Sequence, residues 1–265
     1  MSPIPLLLWL QGAPGLNTAE PQFAPNLIPY VLEGEQSRGA VIVFPGGGYA
    51  GRAPHEADPI ALMFNSYGIN AFVCHYRVAP YHHPYPMLDA QRAIRTVRHR
   101  AAEWHINPDK IAVLGFSAGG HLASTVGTHF DAGDPNAADP IDRESCRPDA
   151  QILCYPVISF GPKGHHGSMV NLIGENPPDE LRSSLCNETQ VTDQTPPAFL
   201  WHTADDAGVP VENSLMFAEA LAAHHIPFEL HVYEHGPHGM GLATDDPHVG
   251  TWPKLCADWL KGRGF

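Results

Sequence analysis

Apolar residues fall along this chain in two spacings. Short runs occupy residues 27–33 (LIPYVLE), 39–44 (GAVIVF), 69–76 (INAFVCHY), 111–114 (IAVL), 149–158 (DAQILCYPVI) and 197–202 (PAFLWH), and residues 228–233 (FELHVY) alternate apolar with polar. They are rich in β-branched and aromatic residues and bounded by turn formers, which predicts strands, most of them buried. Between them lie stretches that can be helical, at residues 54–67 (ending at Gly68), 87–104, 120–125, 211–225 and 251–261. In the helix expected over 87–104, Leu88, Ala90, Ile94, Val97 and Ala101 form the apolar face, and Arg92, Arg95, Arg98 and Arg100 are expected on an opposite, solvated face.

Strands alternate with helices throughout, with no internal repeat and no linker. This predicts an α/β fold: one doubly wound, mostly parallel sheet in a single domain over residues 1–265. Residues 4–10 (IPLLLWL) read as the first β-segment. The runs at 27–33 and 39–44, separated by a polar turn with glycine, read as an antiparallel N-terminal hairpin. Residues 81–86 and 131–148 read as surface loops. Residues 159–196 have weak periodicity, with short helices expected at 170–174 and 179–184, and read as a lid-like or wall-like excursion over the sheet edge.

Composition narrows the function classes. Hydrophobic residues make up 43% of the chain, enough for a sizeable core, while 27 prolines and 25 glycines imply many loops. Fifteen Lys and Arg against 28 Asp and Glu leave a formal charge of −13. With no basic stripe, nucleic acid and anionic membrane are poor partners, and an acidic surface suits neutral substrates. The five cysteines, Cys74, Cys146, Cys154, Cys186 and Cys256, are odd in number, widely spaced and without a CxxC. They read as reduced thiols, with a bridge between Cys146 and Cys186 left open. The apolar start has no Lys or Arg before it and contains two prolines, so it reads as part of the mature domain of a cytoplasmic protein. No run reaches the ~18 apolar residues needed to span a membrane.

The chemistry lies at strand ends. Residues 110–121 (KIAVLGFSAGGH) place Ser117 between a strand and a helix, with glycine at both ±2 positions. That is the nucleophile-elbow arrangement, in which strand and helix approach so closely that only minimal side chains fit at ±2. The hydroxyl stands at the top of the sheet with the first helical N–H groups behind it, Ala118 N–H among them. Residues 45–49 (PGGGY) follow the preceding strand directly; their glycines let the backbone come close to a ligand and present N–H groups, making Gly47 and Gly48 candidate oxyanion donors. Tyr49 beside them is a candidate substrate contact. Two further strands end in TADD, with Asp205 and Asp206, and in EHGPHG, with His235 and His238. The chain order glycine loop, Ser, Asp, His suits a serine activated by a histidine base that a carboxylate orients. His235 and His238 also form an HxxH pair. It follows a strand rather than a helix and has no third ligand at metal spacing, so no metal and no cofactor are expected.

The set PGGGY, YRVAP, LDAQRAIRTVR, NPDKIAVLGFSAGGHLA, WHTADDAGVPVENSLMFAEAL and EHGPHGMGL resembles the esterase/lipase branch of the α/β-hydrolases. It is most similar to the small single-domain acetylxylan-esterase-like and feruloyl-esterase-like enzymes of bacterial xylan-utilisation loci, over nearly the whole chain. The resemblance implies the α/β-hydrolase fold and a catalytic Ser117, Asp206 and His238. The family's D-x-x-V-P spacing selects Asp206, leaving Asp205 to cap a loop, and its G-x-H-G position selects His238. Arg77 and Asp89 match positions that support the loops around the site. The implied activity is a cofactor-free serine esterase that removes short acyl groups, chiefly acetyl, from xylo-oligosaccharides. Pro45 stands where the hormone-sensitive-lipase pattern has His, which fits the acetylxylan-esterase-like group better than a lipase. Rival readings are a feruloyl or general short-chain carboxylesterase, a small peptidase, or a non-catalytic hydrolase-fold binding protein. The intact Ser117, Asp206 and His238 argue against the last. His165 and His166 in the excursion are candidates to line the pocket, and His121 reads as a packed helix residue. The expected partner is a small-molecule or oligosaccharide ester. The oligomeric state is open, a homo-oligomer included.

Overall fold

Along β3 (Arg38–Phe44), successive side chains enter two different cores. Ala40, Ile42 and Phe44 join one apolar cluster and Val41 and Val43 the other, and all five are fully buried. A strand buried on both faces must lie inside a sheet covered by helices on both sides. The computed structural model, which describes residues 3–17 and 24–265, has that layout. One eight-stranded sheet contains β1 (Leu6–Leu7), β2 (Asn26–Tyr30), β3, β4 (Asn70–His75), β5 (Ile106–Phe116), β6 (Ala150–Cys154), β7 (Ala198–Thr203) and β8 (Phe228–Tyr233), in the order β1-β2-β4-β3-β5-β6-β7-β8. The six strands from β3 to β8 are parallel, and β2 runs antiparallel to both its neighbours, β1 and β4.

One face carries α2 (Tyr85–His99), α3 (Ala118–Thr128) and α6 (Glu212–Ala223). The other carries α1 (Asp58–Ser66) and α7 (Trp252–Gly262), whose Trp252, Cys256 and Leu260 recur at helical spacing against Phe199 and Trp201. The stretch 54–67 is split: a 3₁₀ turn at Pro54–Glu56 precedes α1. Among the described residues no helix is long and apolar enough to cross a membrane, and all five cysteines are free thiols.

Two expectations are corrected. The antiparallel start is present, but β2 does not pair with β3; it pairs with β1 on one side and β4 on the other. The central position goes to β3, which is buried on both faces. Pro29 offers no N–H for a ladder, and beyond Leu27 β2 has no strand on its outer side. The arginines of α2 are likewise not a solvated face. Arg92, 3% exposed, binds Asp139 at 2.5 Å, Asp142 at 2.7 Å and the Leu8 carbonyl at 2.9 Å. Arg95 pairs with Asp131 and the Glu144 carbonyl, and Arg98 with Asp149 and the Ser145 and Arg147 carbonyls. The acidic segment 131–149 folds back over α2 and supplies these partners, which helical periodicity cannot reveal. Arg100, paired with Glu103, stays at the surface.

The excursion holds α4 (His166–Ile173), α5 (Asp179–Ser184) and a 3₁₀ turn at Asn187–Thr189. Its far end is pinned to α3. Fully buried Asn187 donates to the His121 carbonyl at 3.2 Å, Ser124 Oγ at 2.8 Å and Thr125 Oγ1 at 3.0 Å. At its near end, Asn171 donates to the Gly48 carbonyl at 2.8 Å, so α4 abuts the glycine loop.

Candidate active site

The turn between β5 and α3 is as tight as the glycine spacing predicts. A Cβ on Gly115 would lie 1.9 Å from the Gly119 carbonyl oxygen, and one on Gly119 would lie 2.1 Å from the Phe44 carbonyl oxygen. No real side chain fits, so strand, helix and β3 meet backbone to backbone. Ser117 takes φ 52° and ψ −119°, a conformation that costs about 1–3 kcal/mol for a non-glycine residue. Its peptide groups hold it there: Ser117 N–H donates to the Cys154 carbonyl at 3.0 Å, and its own carbonyl accepts from Val157 and His121 N–H at 2.9 and 3.1 Å.

The loop after β8 brings His238 to this serine. His238 Nε2 lies 2.8 Å from Ser117 Oγ, and His238 Nδ1 lies 2.7 Å from Asp206 Oδ2. With the Nδ1 proton donated to the carboxylate, Nε2 accepts from the serine hydroxyl. The other Asp206 oxygen accepts from Gly208 and Val209 N–H at 2.8 and 2.9 Å. Burial pushes the Asp206 carboxyl up, but hydrogen bonding with His202, His238 and Val209 outweighs it and holds the group well below the usual carboxylate range. Asp206 therefore stays ionised through the whole working pH range. Asp205 faces away: it accepts from Gly236 N–H at 2.8 Å and pairs with His235 at 3.0 Å, capping the histidine loop from an exposed position. Of the two sequence alternatives, Asp206 is the one in contact with His238. His235 is drawn to Asp205 and forms no metal pair with His238. Among the described residues no group of three or more His, Cys, Asp or Glu side chains is arranged to hold a metal ion.

Beside the serine, Ala118 opens α3, and its N–H has no intrahelical acceptor. Gly47 and Gly48 have φ of 133° and 63°, and among the described residues no protein acceptor takes either N–H. The glycine loop touches the elbow: a Cβ on Gly46 would meet Ser117 Cβ at 3.0 Å. Ala118 N–H, next to the serine in the chain, and the N–H groups of Gly47 and Gly48, which follow Gly46, are thus the candidate donors.

Tyr49 is a correction. A φ of 58° turns its side chain inward, where it is 1% exposed and its hydroxyl meets His121 Nδ1 at 2.9 Å. It is part of the core under the glycine loop, not a wall of the cleft. His121 is packed as expected: buried, stacked on Phe160 at 4.3 Å, with Nε2 on the Leu185 carbonyl at 2.9 Å. Burial lowers its pKa to about 4. Arg77 and Asp89 form a fully buried bidentate pair at 2.8 Å that also holds the Pro14 carbonyl and Trp9 Nε1. His165 and His166 line a cavity of about 370 Å³ in the excursion with Phe160, Met169 and Arg182. His165 caps α4 through Ser168, and burial, followed by the nearby His238 and His166, lowers its pKa.

Three residues of the site were not singled out by sequence reasoning. His202, buried, lies 3.5 Å from Asp206 Oδ2 and bonds Ser214 and the Val209 carbonyl, bracing the aspartate loop. Tyr155 sets its ring edge-on to His238 at 5.0 Å. Glu56, 2% exposed, reaches Tyr155 from the 3₁₀ turn before α1. Tyr155 and Glu56 sit in segments that read as an ordinary strand and an ordinary helix start, so only the tertiary fold brings them to the serine. His202 lies near the end of β7, three residues before Asp205, a weak signal.

A solved acetyl ester-xyloside bifunctional hydrolase from Caldicellulosiruptor lactoaceticus superposes with a TM-score of 0.96 at 53% identity, covering 98% of this chain and 96% of that one. An acetylxylan esterase of Xylanibacter ruminicola is 32% identical over 89% of this chain and 48% of its own length. An endo-1,4-beta-xylanase B of Butyrivibrio fibrisolvens is 41% identical over 84% of this chain and 36% of its own. The chain thus spans half or less of these two curated relatives. The sheet order, the elbow and these likenesses are those of an α/β-hydrolase. With the family model matched across residues 30–221, the chain belongs to the BD-FAE family.

Proposed function

We propose that this chain is a serine carboxylic ester hydrolase that removes acetyl groups from xylo-oligosaccharides or similar carbohydrate esters. The observation that carries it is the continuous hydrogen-bond relay Ser117–His238–Asp206, at 2.8 and 2.7 Å. Ser117 Oγ attacks the ester carbonyl carbon while His238 Nε2 takes its proton. Asp206 holds the tautomer and stabilises the imidazolium. The tetrahedral oxyanion faces Ala118 N–H and the Gly47 and Gly48 N–H groups, each donor worth roughly 3 kcal/mol. Collapse expels the sugar hydroxyl with the proton from His238. Water, deprotonated by His238, then attacks the acetyl-serine and releases acetate.

The substrate class rests on the likeness to an acetyl ester-xyloside hydrolase over nearly the whole chain. The acidic chain suits a neutral sugar ester, and the cavity lined by His165 and His166 is our candidate for the sugar. The test compares p-nitrophenyl acetate, p-nitrophenyl octanoate and acetylated xylo-oligosaccharides on the protein and on Ser117→Ala. Acetate is expected to be preferred over octanoate, acetate to be released from the oligosaccharides, and Ser117→Ala to lose more than about 1,000-fold in kcat. Activity surviving in Ser117→Ala sinks the mechanism. A preference for octanoate, or for a feruloyl ester over acetate, sinks the acetyl reading.

A further inference from the structure

Glu56 is a buried carboxyl that, among the described residues, forms no ion pair with a Lys or Arg. One oxygen, Oε2, accepts from Gly46 N–H at 2.7 Å, and the other, Oε1, accepts from the Tyr155 hydroxyl at 2.6 Å. The Tyr155 oxygen in turn accepts from Gly241 N–H at 2.9 Å. A Cβ on Gly46 would meet Glu56 Oε2 at 2.6 Å, so carboxyl and loop are in direct contact. His55, next in the same turn, meets the Gly239 carbonyl at 2.9 Å and lies 3.6 Å from Glu56.

A buried carboxyl without a Lys or Arg partner costs several kcal/mol unless hydrogen bonds satisfy it, and a packed apolar residue there would be neutral or better for stability. The three segments it joins share one property. Gly46 immediately precedes the Gly47 and Gly48 donors, Tyr155 packs against the His238 ring, and Gly241 lies three residues after His238. Burial, followed by the charge and hydrogen bond of Glu56, raises the Tyr155 pKa well above its ordinary value, so the phenol remains a donor. We propose that Glu56 is a positioning residue that sets the glycine loop against the histidine loop, so that the oxyanion donors and His238 meet the same tetrahedral centre. It acts through Gly46 and Tyr155 and does not touch the substrate. The proposal rests on the esterase reading given above.

The distinguishing property is selective loss of tetrahedral binding. The experiment measures kcat and KM on p-nitrophenyl acetate, calorimetric affinity for a small alkyl boronic acid that adds to a serine hydroxyl, and thermal stability. The proteins compared are wild type, Glu56→Ala, Glu56→Gln and Tyr155→Phe. Glu56→Ala is expected to lose about 30-fold in kcat, part of the loss seen when an oxyanion donor is removed outright. KM should stay within about twofold, and boronic-acid affinity should fall by the same factor as kcat. Glu56→Gln keeps an acceptor for Gly46 N–H and should restore most of that loss. Tyr155→Phe keeps the carboxyl and the ring but cuts the link to Gly241, and should show the same split at about 10-fold. If Glu56→Ala does not fold, Tyr155→Phe carries the comparison. A folded Glu56→Ala or Tyr155→Phe with wild-type kcat, or with reduced kcat and undiminished boronic-acid affinity, overturns the proposal. Wild type without ester turnover overturns the esterase reading instead, and the boronic-acid series still reads the role of Glu56.

Discussion

Asp206→Asn exchanges one oxygen for an NH2 group at the centre of the site. Asp206 Oδ1 accepts from two backbone N–H groups, Gly208 and Val209, at 2.8 and 2.9 Å, and Oδ2 accepts from His238 Nδ1 at 2.7 Å. An amide cannot serve both sides. If its oxygen stays with the two N–H groups, its NH2 faces His238 and forces Nδ1 to accept. Nε2 then carries the proton and has no lone pair for the Ser117 hydroxyl. If the amide is flipped, an NH2 opposes two partly or fully buried N–H donors, at about 1–3 kcal/mol for each left unsatisfied. The first arrangement wins, and its tautomer is the wrong one for a base. We expect kcat to fall by about 10⁴, or about 5 kcal/mol at 1.36 kcal/mol per decade, with KM little changed. Asp205→Asn is the matched control. Its side chain is 53% exposed and its partners are Gly236 and His235, so kcat should stay within about threefold. Initial rates on p-nitrophenyl acetate near neutral pH decide it. Asp206→Asn within tenfold of wild type, or Asp205→Asn as the variant that loses activity, refutes the reasoning.

His121 should make stability depend on pH. Its folded pKa is lowered to about 4, against about 6.5 in the unfolded chain, so the unfolded state binds more protons between those values and stability falls as pH drops through that window. The full contribution is about 3 kcal/mol, and the difference in urea midpoints between wild type and His121→Asn should shrink from pH 7 toward pH 4; a constant difference refutes it. Gly119→Ala would press a Cβ to 2.1 Å from the Phe44 carbonyl oxygen, backbone against backbone, and should cost at least about 3 kcal/mol; an unchanged urea midpoint would contradict that. Asn187→Ala takes the Asn187 donor from buried Ser124 Oγ and Thr125 Oγ1, while the His121 carbonyl keeps their two hydroxyls, for a loss of about 2–3 kcal/mol, and hydrogen exchange should quicken in the excursion but not in the central strands.

What was readable in the chain depended on how locally each feature is determined. The elbow was readable because its glycines mark a tight strand-to-helix turn: a Cβ on Gly115 would strike the Gly119 carbonyl within the same five residues, and one on Gly119 the neighbouring β3. The inner strands, β3 to β7, were readable because burial on both faces leaves continuous apolar runs, and the edge strand β8 because its residues alternate. The partner of β2 was not, since both candidate neighbours are apolar strands and the central place of β3 shows only when the whole sheet is assembled. The arginines of α2 were misplaced because periodicity reports the spacing of apolar residues and not whether an acidic loop returns to cover the polar side. Tyr49 was misplaced because its position in sequence, beside the donors, says nothing about a backbone φ that turns the side chain inward. Glu56 was invisible for a related reason: its partner Tyr155 lies 99 residues away. The choice of Asp206 over Asp205 needed the family spacing, because the two residues are chemically identical and differ only in which way the loop points them.

The central claim is that Ser117 carries the acyl group. The direct measurement is peptide mass mapping after rapid acid quench of the protein mixed with an acetyl ester. The account predicts one acetyl group on Ser117, appearing in wild type, persisting longer when deacylation is slowed in His238→Ala treated with an activated ester, and missing from Ser117→Ala. Acetyl on another residue, or turnover by Ser117→Ala at the wild-type rate, would contradict it.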